Sequence, residues 1–215
     1  YEKCAKLGGM LRYGIPNYRL PREVLDAEIA SMLALGIDVH VNVNVGDDVT
    51  FDELRQQNDA LYIALGAHTD KKTGIEGENA EGVISAVEML REIGDDHMPD
   101  FRNKDIVVIG GGNIGADVAR TAVRCGAESV DLYCLEAYDD MPMGEEDRSE
   151  CERDGITVHA GWGQTEIVVE DGKCAGIRFR KCTRVKNDEG RFAPEFDDLS
   201  LIHISEPTRR SYISY

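Results

Sequence analysis

The chain has 215 residues, 24 basic against 41 acidic, for a formal net charge of -17. So acidic a surface excludes a nucleic-acid partner, which needs a basic face, and argues against an anionic membrane surface. Six dispersed cysteines without a C-x-x-C pair fit reduced thiols in a cytoplasmic protein rather than a disulfide framework, and no apolar run reaches a membrane-spanning length of about 20 residues.

In chain order, Pro21 opens a helix carrying Val24, Leu25, Ile29, Met32 and Leu33 at helical spacing, with Gly36 ending it. Residues 37–45 alternate apolar and polar, which predicts a strand. Thr50 and Glu53 form a capping box for a short helix, and residues 60–64 read as a buried strand. Ser85 and Glu88 cap a further helix reaching Ile93, and the polar stretch 94–103 with Pro99 reads as a linker. An acidic helix spans 145–153, followed by a strand at 156–159. A hairpin joins 166–170 to 175–180 across Asp171-Gly172. Strands alternate with helices, so the fold class is α/β.

The most informative stretch is Ile106 to Gly115. A β-branched strand feeds Gly110-Gly111-Gly112-Asn113-Ile114-Gly115, a G-x-G-x-x-G turn opening a helix, and a second strand, 129–135, leads to Glu136. The glycines have distinct physical roles. Gly110 turns the chain, Gly112 lets backbone approach a pyrophosphate, and Gly115 lets helix and strand pack closely. The helix N-terminus offers free N–H groups to the phosphates. Glu136 is placed to accept both hydroxyls of an adenosine ribose. Its carboxylate repels a 2′-phosphate, so NADH is favoured over NADPH. Met141-Pro142 either shapes this site or is a plain turn. Scattered histidines and irregularly spaced carboxylates give no metal site, and no acid–base dyad marks a catalytic residue.

The string Gly8-Gly9-Met10-Leu11-Arg12-Tyr13-Gly14-Ile15-Pro16-Asn17-Tyr18-Arg19-Leu20-Pro21 resembles the glutamate synthase small-subunit family of FAD- and NAD(P)-dependent oxidoreductases. The match continues at 43–46, 64–67 and through the nucleotide motif to Met141-Pro142. The resemblance implies a Rossmann-like flavoprotein with two dinucleotide-binding domains, of which this chain is a piece truncated at both ends. A partial FAD-binding domain would occupy residues 1–98, and an inserted NAD(P)-binding domain residues 99–198. Glu2, Gly8, Gly9, Leu11, Arg12, Val45, Ala64 and Gly66 would then contact the flavin nucleotide. Leu65 replaces the threonine usual in the A-T-G motif at 64–66, and the upstream flavin glycine motif and the terminal G-D motif are not in the chain.

From Leu199 onward the sequence resembles a translated sequencing adapter, so residues 199–215 are expected to be a non-native tail. The activity implied is hydride transfer from NAD(P)H to FAD, with electrons passed to a partner subunit or domain. Iron–sulfur clusters would lie in an upstream region or in that partner. The isolated fragment would be inactive and would not retain FAD. The alternative is a nucleotide-binding or assembly module without turnover. A thioredoxin-reductase-like role would need the C-x-x-C that the chain lacks.

Overall fold

The computed structural model describes residues 1–70, 72–205 and 210–214, with side chains described as far as residue 197. The chain divides into two compact units: residues 1–69 with 90–97, and residues 70–89 with 98–215. The boundary expected at residue 98 therefore differs from this division at residues 70–89, which belong to the second unit.

The first unit contains helices α1 (Met10–Tyr13), α2 (Arg22–Leu33) and α3 (Phe51–Gln57). In α3 the Thr50 side chain accepts from the Glu53 backbone N–H, and the Glu53 carboxylate accepts from that of Thr50, completing the capping box. On α2 only Leu25 is fully buried, while Val24 and Met32 of the predicted apolar stripe are exposed. Tyr13 is the unit's packed anchor, its hydroxyl 2.9 Å from Asp95.

Two predicted strands are not strands here. Residues 37–45 carry only isolated bridges, Glu2 to Val41 and Val45 to Val49. Asn42 lies in the left-handed region at φ 58°, which interrupts the extension. Residues 60–64 also form no strand, and Tyr62 is 95% exposed and Leu65 78% exposed. Alternation is necessary for a strand but does not supply the neighbour whose N–H and C=O groups complete the ladder. Among the described residues no such neighbour pairs with 60–64.

The second unit is built on a parallel sheet in the order β1-β8-β2-β3-β4, formed by Val83–Ser85, Arg210–Ser214, Asp105–Ile109, Ser129–Cys134 and Thr157–Ala160. Strand β1 has no periodic signal in the sequence, because it is only three residues long. Helix α4 (Ala86–Gly94) follows it, with the Ser85 hydroxyl accepting from the Glu88 N–H as the capping pattern predicts. Helix α5 (Asn113–Arg124) links β2 to β3, and α6 (Glu145–Arg153) precedes β4, as the sequence pattern requires.

An antiparallel arm, β5 (Trp162–Glu170), β6 (Lys173–Lys186) and β7 (Phe192–Ser205), forms a second sheet. Asp171 and Gly172 both have positive φ (48° and 81°), the backbone of a two-residue type I′ hairpin turn. The arm's Ile167, Ile177 and Phe179 bury against Val107, Ile109 and Tyr133 of the parallel sheet. Tyr133 stacks on Phe179 at 4.0 Å and on His159 at 4.2 Å. Residues of the expected non-native tail contribute backbone to both sheets: 201–205 pair with β6, and 210–214 lie between β1 and β2.

Candidate nucleotide site

The glycine turn sits at the carboxyl end of β2, where open parallel sheets place their ligand crevices. Gly110 has φ 129°, and its N–H donates to the Tyr133 carbonyl at 2.8 Å, anchoring the turn to β3. A Cβ at Gly115 would lie 2.1 Å from the Gly110 carbonyl oxygen, so only glycine admits this approach of helix to turn. A Cβ at Gly111 would lie 2.7 Å from Cys134 Cβ. By contrast, a Cβ at Gly112 would meet nothing within 4 Å. The glycine expected to admit a pyrophosphate is thus the one that faces open space.

Gly112 is the N-cap of α5, with no side-chain cap and no acidic residue in the first turn. Helices α3 and α6 both carry acids there. Asn113, Ile114 and Gly115 therefore lead a helix whose positive end has no carboxylate to answer it. From Gly115 to Ala122 the helix is buried, which fixes its axis against the sheet. The Met141-Pro142 loop packs onto the turn: Met143 N–H donates to the Gly111 carbonyl at 3.0 Å, and Met141 and Met143 are buried. Its role is thus to support the glycine turn.

Glu136 lies just past β3, partly buried, and its carbonyl accepts from the Gly161 N–H at 2.7 Å. It lines a cleft of about 620 Å³ together with Leu135, Asp140 and, from β6, Cys182, Arg184 and Lys186. The three β6 residues had no signal in the sequence, because 46 or more positions separate them from Glu136 and only sheet pairing unites them. A smaller concavity of about 230 Å³ reaches Ile109 from residues 70–88, including Lys72, Ser85 and Glu88.

The six residues of the glycine turn and Glu136 thus belong to one unit and lie at the carboxyl-terminal end of neighbouring strands of its sheet. Glu2, Gly8, Gly9, Leu11, Arg12, Val45, Ala64 and Gly66 all fall in the first unit. Arg12 is buried, and its guanidinium donates to the Leu7 carbonyl and the Asp26 carboxylate. Arg12 lines a cleft with Lys6, Arg22, Asp26 and Asp96, and none of the other flavin candidates does. The Leu11 and Arg12 N–H groups donate to the Gly8 and Gly9 carbonyls, at 3.1 and 3.0 Å. Gly8 and Gly9 have positive φ (122° and 50°), which shapes this turn. The Glu2 carboxylate accepts from the Cys4 N–H at 2.7 Å. Val45 sits at a single bridge to Val49, and Ala64 and Gly66 are exposed.

Burial pushes the Cys134 thiol up to about 11, with Glu136 adding to the effect, so it is a packing group rather than a nucleophile. Among the described residues no group of three or more His, Cys, Asp or Glu side chains is placed to hold a metal ion. None of their helices is long and apolar enough to cross a membrane.

The chain is similar to the beta subunit of an NADP(+)-dependent formate dehydrogenase from Moorella thermoacetica, at 38% identity over 90% of this chain and 28% of that protein. It is 34% identical to a putative glutamate synthase [NADPH] small chain from Cereibacter sphaeroides, over 73% of this chain and 40% of the relative. The chain therefore spans well under half the length of these relatives. Its backbone superposes on Mycobacterium tuberculosis FprA in complex with NADPH at a TM-score of 0.77, covering 99% of this chain and 62% of the other. The identity there is 17%, so this likeness concerns the fold. The sequence profile of the pyridine nucleotide-disulphide oxidoreductases matches residues 2–193. With a glycine turn, an open helix N-terminus and an acid at the next strand end, the chain belongs to that family.

Proposed function

We propose that the chain is part of an NAD(P)H- and FAD-dependent oxidoreductase of the glutamate synthase small-subunit type, working with an electron-accepting partner subunit or domain in the cytoplasm. The observation that carries this reading is the uncapped, acid-free N-terminus of α5 behind Gly110 to Gly112, with Glu136 at the end of the neighbouring strand. Residues 99–198 act as the nicotinamide-nucleotide domain, joined by β1 and the segment leading into it. Residues 1–69 supply part of an FAD domain, and residues 199–215 are foreign to the natural protein.

When bound, the nicotinamide cofactor supplies a hydride and the flavin accepts it. The residues of this chain bind and orient. The α5 N–H groups and the open face of Gly112 receive the pyrophosphate, Gly115 holds the helix close enough for that, and Glu136 accepts hydrogen bonds from the ribose hydroxyls. A free ribose diol suits Glu136 better than a 2′-phosphate, so NADH is the preferred coenzyme. Both relatives described above carry NADP or NADPH in their names, which makes the preference a point to measure. Iron–sulfur centres belong to the partner or to an upstream region.

A second reading rests on the same observation: the glycine turn, the open α5 N-terminus and Glu136 by themselves make a nucleotide-binding module without turnover of its own. Titration of the purified chain with NADH by calorimetry, beside an absorbance spectrum and an NADH-driven dye-reduction assay, separates the two. NADH binding with bound flavin and dye reduction supports the enzyme. Binding of NADH without flavin is what both readings expect of this isolated piece, and it supports the module only if the full-length protein also purifies without flavin. No binding of NADH refutes both.

A further inference from the structure

The cleft at Glu136 has a second wall, and it is basic. Backbone hydrogen bonds build it: Gly161 N–H donates to the Glu136 carbonyl at 2.7 Å, and Cys182 N–H donates to the Gly161 carbonyl at 2.8 Å. Two links thus tie β6 to the end of β3. A Cβ at Gly163 would lie 2.5 Å from both the Leu135 and Phe196 side chains, so the arm meets the end of β3 at closest approach. Arg184 follows two residues after Cys182 and lines the same cleft as Glu136, with Lys186 beyond it and Asp140 as a further carboxylate.

The Arg184 guanidinium does not stand alone. One nitrogen pairs with Asp188 at 2.7 Å and another with Glu195 of β7. Both carboxylates are solvent-exposed, and exposed ion pairs hold a side chain only weakly. A phosphate is a stronger, bidentate partner for a guanidinium.

Resting on the nucleotide-site reading above, we infer that Arg184 is the second coenzyme-selecting residue of this chain: the cation that receives a 2′-phosphate, opposed by Glu136 and restrained by Asp188 and Glu195. Selectivity for NADH is then a balance across the cleft rather than a property of the β3 end alone. Glu136 favours the free diol, Arg184 favours the phosphate, and the two carboxylates on the arm set how readily Arg184 is released.

The test is binding of 5′-AMP, 2′,5′-ADP and NADH to the full chain by calorimetry, with no need for turnover. R184A lowers 2′,5′-ADP affinity about tenfold, the scale of one charge-assisted bond, and leaves 5′-AMP unchanged, while R184K, which keeps the charge but loses the bidentate fork, falls between R184A and the parent. The pair D188N/E195Q raises 2′,5′-ADP affinity, and adding R184A to it removes the gain. An R184A protein with an unchanged ratio of 2′,5′-ADP to 5′-AMP affinity overturns the inference. So does a gain in D188N/E195Q that survives R184A, which would pass the role to Lys186. If the unaltered chain binds neither 5′-AMP nor NADH, the nucleotide-site reading itself fails, and the inference falls with it. That outcome is distinct from binding without selectivity.

Discussion

Replacing Gly115 and Gly112 in turn with alanine separates the packing role of one glycine from the binding role of the other. In G115A the new Cβ begins 2.1 Å from the Gly110 carbonyl oxygen and 3.0 Å from its carbon. The helix must then move by about 1 Å or more to reach ordinary van der Waals contact. Overpacking of that kind costs about 1–3 kcal/mol, against which alanine in a helix returns about 0.5–1 kcal/mol over glycine. The net expectation is a loss of about 1–2 kcal/mol. For a domain of this size that lowers Tm by roughly 2–4 °C per kcal/mol. In G112A the Cβ meets nothing within 4 Å and φ is -92°, so the fold loses at most about 1 kcal/mol, the ordinary penalty for alanine at an N-cap. The methyl group instead occupies the space where the pyrophosphate would approach. Thermal unfolding followed by circular dichroism, paired with NADH calorimetry, reads both effects. G112A is expected to unfold within about 4 °C of the parent and to lose NADH binding at least tenfold, the scale of one lost phosphate contact. Wild-type NADH affinity in G112A, or wild-type stability in G115A, would refute this division of labour.

Arg120 is nearly buried between α5 and α6, where it pairs with Glu150 and, at 2.8 Å, with Asp154. R120M removes this partner from Glu150 and leaves Asp154 with Arg124 alone; both carboxylates keep partial access to water, so it should destabilise by about 1–3 kcal/mol in urea unfolding, less than for a fully buried pair. Burial alone would raise the Asp154 carboxyl, but hydrogen bonds from Arg124 and Arg120 bring it below its usual value. Its stabilising contribution is therefore present above the unfolded pKa of about 4 and is lost as pH falls through the lower folded value. An R120M stability profile with the same slope below pH 4 as the parent would contradict this. Tyr13 is held protonated by burial and by its bond to Asp95, which push its pKa up to about 12. That stability is complete below about pH 10 and fades as pH rises towards 12, so an ultraviolet phenolate titration should show one late-ionising tyrosine that disappears in Y13F. For Cys134, raised to about 11, roughly one thiol in a thousand is ionised at pH 8. Iodoacetamide at that pH should leave it unlabelled in the folded protein by peptide mass spectrometry, and labelling at the rate of an unfolded control would disprove its burial.

The features legible in the amino-acid order are local ones. The strand, glycine turn, helix and strand from Asp105 to Cys134 could be read directly, because each signal spans only a few residues and the glycines are dictated by close approach. The acidic helix at 145–153 and the Asp171-Gly172 hairpin were legible for the same reason. Other features depend on partners far along the chain and emerge only on folding. The alternation at 37–45 is a sound strand pattern, yet it lacks a paired ladder and turns out of line at Asn42. The three-residue β1 is too short to carry periodicity and exists because it pairs in the parallel sheet. Arg12 reads as a cation for a ligand, and only the fold shows that it is buried with the Leu7 carbonyl and the Asp26 carboxylate as partners. Arg184 reads as an ordinary surface arginine until the backbone bonds through Gly161 draw β6 alongside Glu136. Local steric demands are written in neighbouring residues. The composition of a cleft is set by long-range strand pairing, which no short window of sequence contains.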